Sequence, residues 1–133
     1  MIPKFRAWHK TWEEMGKVKR IRFDDDGNIT TVLVKGQAFG SNVHLEEIEL
    51  MQSTGLKDKS GKEIFEGDVI AIEVDDTGTP INARVFQNSK IGVLMFHVFE
   101  DNEDVPMVEL LEDNSVAFEI IGNIYENPEL LEV

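Results

Sequence analysis

Residues 51–74 read MQSTGLKDKSGKEIFEGDVIAIEV, and the punctuation of this stretch decides the fold. Ser53-Thr54-Gly55-Leu56 reads as one turn, and Lys57-Asp58-Lys59-Ser60-Gly61-Lys62 as a second, polar one. Glu66-Gly67-Asp68 forms a third, tighter corner. There Gly67 supplies a positive φ, and the Asp68 carboxylate is placed to accept a nearby backbone N–H. Val69 to Val74 leaves that corner as an apolar, β-branched run, the pattern of a strand covered on both faces for part of its length. A Gly-Asp corner feeding such a strand is how a small β-barrel begins a wall.

The flanking sequence continues the theme. Phe5 to Trp8 predicts a short strand, and Val18 to Phe23 alternates Ile21 and Phe23 with Arg20 and Arg22, the period of a half-buried strand. Asp24-Asp25-Asp26-Gly27-Asn28 is a turn, and Ile29 to Val34 is β-branched apart from Leu33, so a hairpin is expected. Residues 35–42 read as a loop. Val43 to Leu50 fits two strand pieces with a bulge, and also a helical turn capped by Ser41 or Asn42; strand is favoured. Residues 75–80 read as a loop, and Ile81 to Phe86 with Ile91 to Val98 as a hairpin. An acidic loop, Phe99 to Asp104, leads through Pro106 to a short strand at Met107 to Leu111. Val116 to Ile124 is the last strand, bulged at Gly122, and Asn127-Pro128 starts one closing helical turn.

These elements predict a mainly β, β-rich α+β protein. An N-terminal hairpin region, residues 1–50, packs with a small, partly open β-barrel, residues 51–133, as one compact unit over residues 1–133. The length of 133 residues and a hydrophobic content of 41% suit a single globular domain. Cysteine is absent, which excludes disulfides, a thiolate nucleophile and Cys-ligated zinc. No apolar run reaches the roughly 20 residues needed to span a bilayer, and residues 1–6 lack a signal-peptide core. A cytoplasmic location without membrane partners is therefore expected.

The net charge of −13 is unevenly spread. Residues 1–22 carry seven basic and two acidic side chains, a net +5, whereas residues 23–133 carry six basic and 24 acidic ones, a net −18. The larger part would repel a nucleic-acid backbone, whose affinity comes from neutralised phosphates, so nucleic acid is an unlikely partner.

No motif carries chemistry. With Gly27 as the invariant glycine of a helix-loop-helix calcium site, the first and last ligand positions fall on Arg22 and Leu33, and both fail. The acidic loop at residues 99–104 has no flanking element to fix a coordination geometry. His9, His44 and His97 share no metal-ligand spacing, and the sequence leaves their convergence open. Gly55 to Gly61 lacks a phosphate-loop string because Glu63 follows Gly61-Lys62. No serine sits in a nucleophile elbow. No enzyme activity, metal or cofactor is expected.

One feature stands out as an interaction surface: the basic side chains Lys19, Arg20 and Arg22 on one predicted strand, with Arg6 and Lys10 nearby if the hairpin pairs. They suit an acidic partner, including the acidic body of another copy in a homo-oligomer.

MIPKFRAW at residues 1–8, LMQSTGLKDKSGKEIFEGDVI at 50–70 and EIIGNIYENPELL at 119–131 resemble the YopX family of bacteriophage and prophage proteins. At Ser53 the family more often carries an aromatic, and residues 75–115 match no family pattern. The resemblance implies a small cytoplasmic phage-encoded protein of β-rich fold with an SH3-like barrel in its carboxy-terminal part. Gly55, Gly61, Gly67 and Asp68 then form a fold-signature turn. It implies no activity.

Three functions follow as expectations. The first is a non-enzymatic module that binds a host or phage protein or itself. The second is an acidic decoy of a nucleic-acid-binding protein. The third is a nucleic-acid-binding barrel with Trp8 and Trp12 exposed as stacking platforms beside Arg6 and Arg20; burial of both rings is expected instead.

Overall fold

The computed structural model describes residues 4–35, 42–74, 78–88, 90–111 and 116–131. These residues form a mainly β protein with two antiparallel sheets and a single five-residue α-helix. The chain divides into two compact units, Met1–Ser53 and Thr54–Val133.

The first unit holds β1 (Phe5–His9), β2 (Glu14–Phe23), β3 (Ile29–Lys35), β4 (Asn42–His44) and the start of β5 (Ile48–Lys57), in the sheet order β4-β3-β2-β1-β5. Alternation decides its inner face. Ala7 lies opposite Gly16 and Leu50, and Val32 opposite Ile21 and Val43, so one face of the sheet gathers the small and β-branched residues. Ala7, Val32, Val34, Val43 and Ile48 are buried there, with Val18, Ile21, Ile29 and Leu50 packed against them. The β2–β3 turn is built as its composition dictates. Asp24 Oδ1 accepts the N–H groups of Asp26 and Asn28, each at 2.9 Å, and Gly27 adopts φ 85°. Further along, β2 gains an extra residue at Lys19, between the pairs Val18–Val34 and Arg20–Leu33.

The second unit takes the rest of β5, then β6 (Glu63–Phe65), β7 (Asp68–Val74), β8 (Ile81–Asn88), β9 (Val93–Val98), β10 (Glu103–Pro106), α1 (Met107–Leu111) and β11 (Val116–Asn123), with a 3₁₀ turn at Pro128–Leu131. Its five-stranded sheet runs β10-β9-β8-β7-β11. Ile70 and Ile72, Ala83 and Val85, and Phe96 and Val98 point to one face and meet Ile64, Met107 and Phe118 in the core. The Phe96 and Phe118 rings pack at 5.4 Å, tilted by 49°. β7 is buried from Asp68 to Ile72, the burial on both faces that its continuous apolar run implied.

Several elements differ from expectation. Ser53 to Leu56 is no turn: β5 runs unbroken through it, with Gly55 at φ 79° absorbing a local kink. Thr54 holds that kink by donating its hydroxyl to Ile64 O at 2.7 Å and accepting the Leu56 N–H at 3.1 Å. Residues 43–50 do hold two strand pieces, but a 3₁₀ turn at 45–47 joins β4 to β5 where a bulge was favoured, with His44 at its N-cap position in place of Ser41 or Asn42. Met107–Leu111 is helical because Met107 and Leu110, three apart, both turn to the core while Val108 and Glu109 stay exposed. The closing turn starts at Asn127-Pro128 as expected: Asn127 O accepts the Leu130 N–H at 3.0 Å, while its side-chain Oδ1 accepts the Asn123 N–H at 3.2 Å.

The bulge near Gly122 is present, with the register stepping from Ile120–Ile70 to Gly122–Val69. A Cβ at Gly122 would lie 2.5 Å from Asn127 Oδ1 and 2.8 Å from Leu130 Cδ1. Gly122→Ala should therefore push the Asn127 and Leu130 side chains aside and destabilise the protein by about 1 kcal/mol in denaturant titrations. Pairing it with Asn127→Gly should not restore stability, because Asn127 Oδ1 also accepts the Asn123 N–H and Leu130 Cδ1 still stands 2.8 Å from the new Cβ.

Candidate functional site

The stretch that decides the fold builds two carboxylate-centred corners. At the first, Asp58 is 7% exposed and accepts three backbone N–H groups. Its Oδ1 takes Ser60 and Lys62, each at 2.9 Å, and its Oδ2 takes Ile120 of β11 at 3.0 Å. Lys59 N–H donates to Phe118 O at 2.9 Å, so the β5–β6 turn lies along the outer edge of β11. Gly61, at φ 86°, closes that turn by donating to Asp58 O. Above it, Lys59 Nζ meets Glu73 at 2.8 Å and Glu119 at 3.5 Å, and the hydrogen bond to Glu73 holds its pKa above the ordinary 10.5.

At the second corner, Gly67 adopts φ 87° and Asp68 Oδ2 accepts the Phe65 N–H at 2.8 Å, as the Gly-Asp reading required. Gly67 N–H donates to Val85 O and Gly67 O accepts from Ile124, tying the corner to β8 and to the end of β11. Both carboxylates are buried and accept backbone N–H groups that shape their corners.

The cationic surface has a different shape from the one expected. Arg6 lies directly opposite Lys17, and Lys17 directly opposite Lys35, so β1, β2 and β3 carry a row of three cations on one sheet face. Beyond it on β2, Lys19, Arg20 and Arg22 are all exposed. Among the described residues, Lys17, Lys19, Arg20, Arg22 and Lys35 form no ion pair. Lys10 stands apart. It follows β1 at the β1–β2 turn, where its Nζ reaches Glu49 at 3.5 Å and Glu46 O at 3.2 Å. Arg22 is eight residues along β2 from Glu14, the partner of His9, or ~26 Å at about 3.3 Å per residue. Lys17 and Lys35 join the site only through strand register, which no spacing rule supplies.

The aromatic residues divide likewise. Trp8 is half-buried, but Trp12 is 67% exposed at the β1–β2 turn, against the expected burial of both rings. The Trp12 backbone N–H donates to Nδ1 of the buried His9 at 3.1 Å, and the two rings lie 6.4 Å apart. Phe23, beside Arg22, is 61% exposed. In the second unit, His97 Nδ1 and Asp104 Oδ1 lie 2.7 Å apart across the β9–β10 pair, and the His97 ring meets Phe99 edge-on at 5.8 Å. His44 is exposed on β4. Among the described residues no three His, Asp or Glu side chains gather where a metal ion would fit. Nor is any of their helices long and apolar enough to cross a membrane.

The family model described as YopX protein matches residues 4–132. The chain belongs to the YopX family. Protein EF1440 from Enterococcus faecalis shares 29% identity with it, and the two structures superpose with a TM-score of 0.65 over 99% of each chain. The yopX protein of Bacillus subtilis is 22% identical, with a TM-score of 0.63 over 97% of this chain and 98% of the other, and so shares the fold. A search of curated proteins finds no match.

Asp58 gives this YopX-family fold a defined response to acid. Burial pushes its carboxyl pKa up, but the N–H groups of Ile120, Lys62 and Ser60, with the charge of Lys62, outweigh that and hold it below 3.8. A proton then binds more weakly to the native state than to the unfolded one. The carboxylate stabilises the fold above 3.8, and that contribution is lost as the pH falls through the lowered native value. Asp58→Asn, which turns an amide donor toward one of these N–H groups, should lose about 1–3 kcal/mol at neutral pH. Its unfolding midpoint should also fall less than that of the wild type between about pH 5 and pH 2.

Proposed function

We propose that the chain is a non-enzymatic, phage-encoded accessory module that works in the cytoplasm by docking an acidic protein on the cationic face of β2. The observation that carries this reading is the set of like charges on one sheet surface: Arg6, Lys17 and Lys35 in a row, then Lys19, Arg20 and Arg22. Like charges placed directly opposite one another on a sheet cost stability. An anionic partner turns that cost into complementarity and steers the encounter.

The charge distribution favours a protein partner over nucleic acid. Residues 1–53 hold eight basic and eight acidic side chains, whereas residues 54–133 hold five and 18, so the whole net charge of −13 belongs to the second unit. Nucleic-acid affinity comes from neutralising many phosphates along a backbone, and the cations of the first unit are matched by as many carboxylates. Trp12 offers an exposed ring, but it sits at the opposite end of β2 from Arg22 and gives no continuous stacking path. The reading assigns no reaction, in keeping with a sequence that has no cysteine and no nucleophile motif.

Affinity capture from bacterial lysate tests it, with wild type and the Arg20→Glu/Arg22→Glu variant compared side by side. Wild type should retain a specific protein that survives nuclease treatment. The variant, folded by its thermal melt, should retain it about tenfold less, and raising salt from ~0.1 to ~0.5 M should act in the same direction. Equal capture by both forms, or capture abolished by nuclease, overturns the reading.

A further inference from the structure

β1 pairs with β2 only from Glu14 to Lys17. Among the described residues, the β1-facing edge of β2 from Val18 to Phe23 has no strand beside it, although β3 covers the opposite edge. This overhang carries Lys19, Arg20 and Arg22 and ends on the exposed Phe23.

The second unit has an edge of opposite sign. β10 is the outermost strand of the five-stranded sheet and, among the described residues, pairs only with β9. Glu103 and Asp104 on it are exposed, as are Glu100 and Asp101 just before it.

Unpaired strand edges invite pairing with another chain, and charges on them decide which chain is accepted. Two β2 overhangs brought together would oppose Arg20 and Arg22 to their own copies, and two β10 edges would oppose Glu103 and Asp104. Like charges directly opposite are destabilising, so each edge rejects itself. Each edge complements the other.

We infer that the acidic partner of β2 is a second copy of this chain, whose β10 edge lies along the Val18–Phe23 overhang in a head-to-tail contact. The inference rests on the acidic-partner reading of β2 and names its occupant; it uses Lys19, Arg20 and Arg22 and leaves the Arg6–Lys17–Lys35 row outside the contact. Such a contact is heterologous, with two different patches meeting. Its polar character makes it weak and sensitive to salt.

Sedimentation velocity on three proteins tests it: wild type, Arg20→Glu/Arg22→Glu and Glu100→Lys/Glu103→Lys, each with its fold checked by thermal melting. The chosen acidic positions leave the His97–Asp104 pair intact. Wild type should self-associate at ~0.05 M salt and dissociate at ~0.5 M. Each variant alone should associate at least about tenfold more weakly. An equimolar mixture of the two should regain association, because each variant's reversed edge now meets an edge of opposite sign. Carbodiimide coupling of a mixture of ¹⁴N and ¹⁵N wild-type protein should join Lys19 to Glu100, Asp101 or Glu103 in mixed-isotope peptides. A wild type that is monomeric at low salt overturns the inference, as does association untouched by both reversals or a mixture that restores nothing. Loss of lysate capture in the β2 variant, alongside a monomeric wild type, removes this occupant and leaves the acidic-partner reading standing.

Discussion

The second unit depends on one buried carboxylate. Asp58 does more than shape its own turn through Ser60 and Lys62, because its other oxygen takes the Ile120 N–H at the edge of β11. Without that bond and the adjoining one from Lys59 to Phe118 O, the middle of β11 would present an unsatisfied outer edge. The turn therefore does for β11 what another strand would do, and the sheet needs no further strand on that side. A carboxylate suits the position because it accepts several N–H groups at once, and charged acceptors make the stronger hydrogen bonds.

The sequence displays much of this architecture where a single local cause dominates. The Val69–Val74 run could only be a covered strand, the Asp24–Asn28 composition could only be a turn, and Gly67-Asp68 behaves as its chemistry requires. Reading failed where distant contacts outweighed local preference. Gly55 looked like a turn residue, yet Thr54 and its partner Ile64 carry the strand through it. Met107–Leu111 looked like a strand, yet the core accepts Met107 and Leu110 only on one side of a helix. Asp58 signalled only its own turn, since its decisive partner is Ile120, 62 residues away.

The cationic surface was half legible for the same reason. Lys19, Arg20 and Arg22 share one stretch of chain and could be seen together. Lys17 and Lys35 join Arg6 only once three strands are in register, and Lys10 leaves the group because its nearest carboxylate is Glu49. The division of charge also sharpened. What read as a basic end and an acidic remainder is a neutral unit with one cationic face, followed by a unit that carries the entire net charge. Charge on this scale sets solubility and encounter rates and leaves the fold to the apolar pattern.

The span of the Asp58–Ile120 bond has a kinetic side. The β2–β3 and β8–β9 hairpins close short loops, whose entropy cost is small and which form early. The bond from Asp58 closes a loop of 62 residues, and the β11–β7 pairing spans the β8–β9 hairpin. A contact of this range belongs to the late stages of folding. Late contacts govern how fast a protein opens more than how fast it forms. As a latch of this range, the carboxylate should slow the opening of the second unit more than it speeds its formation.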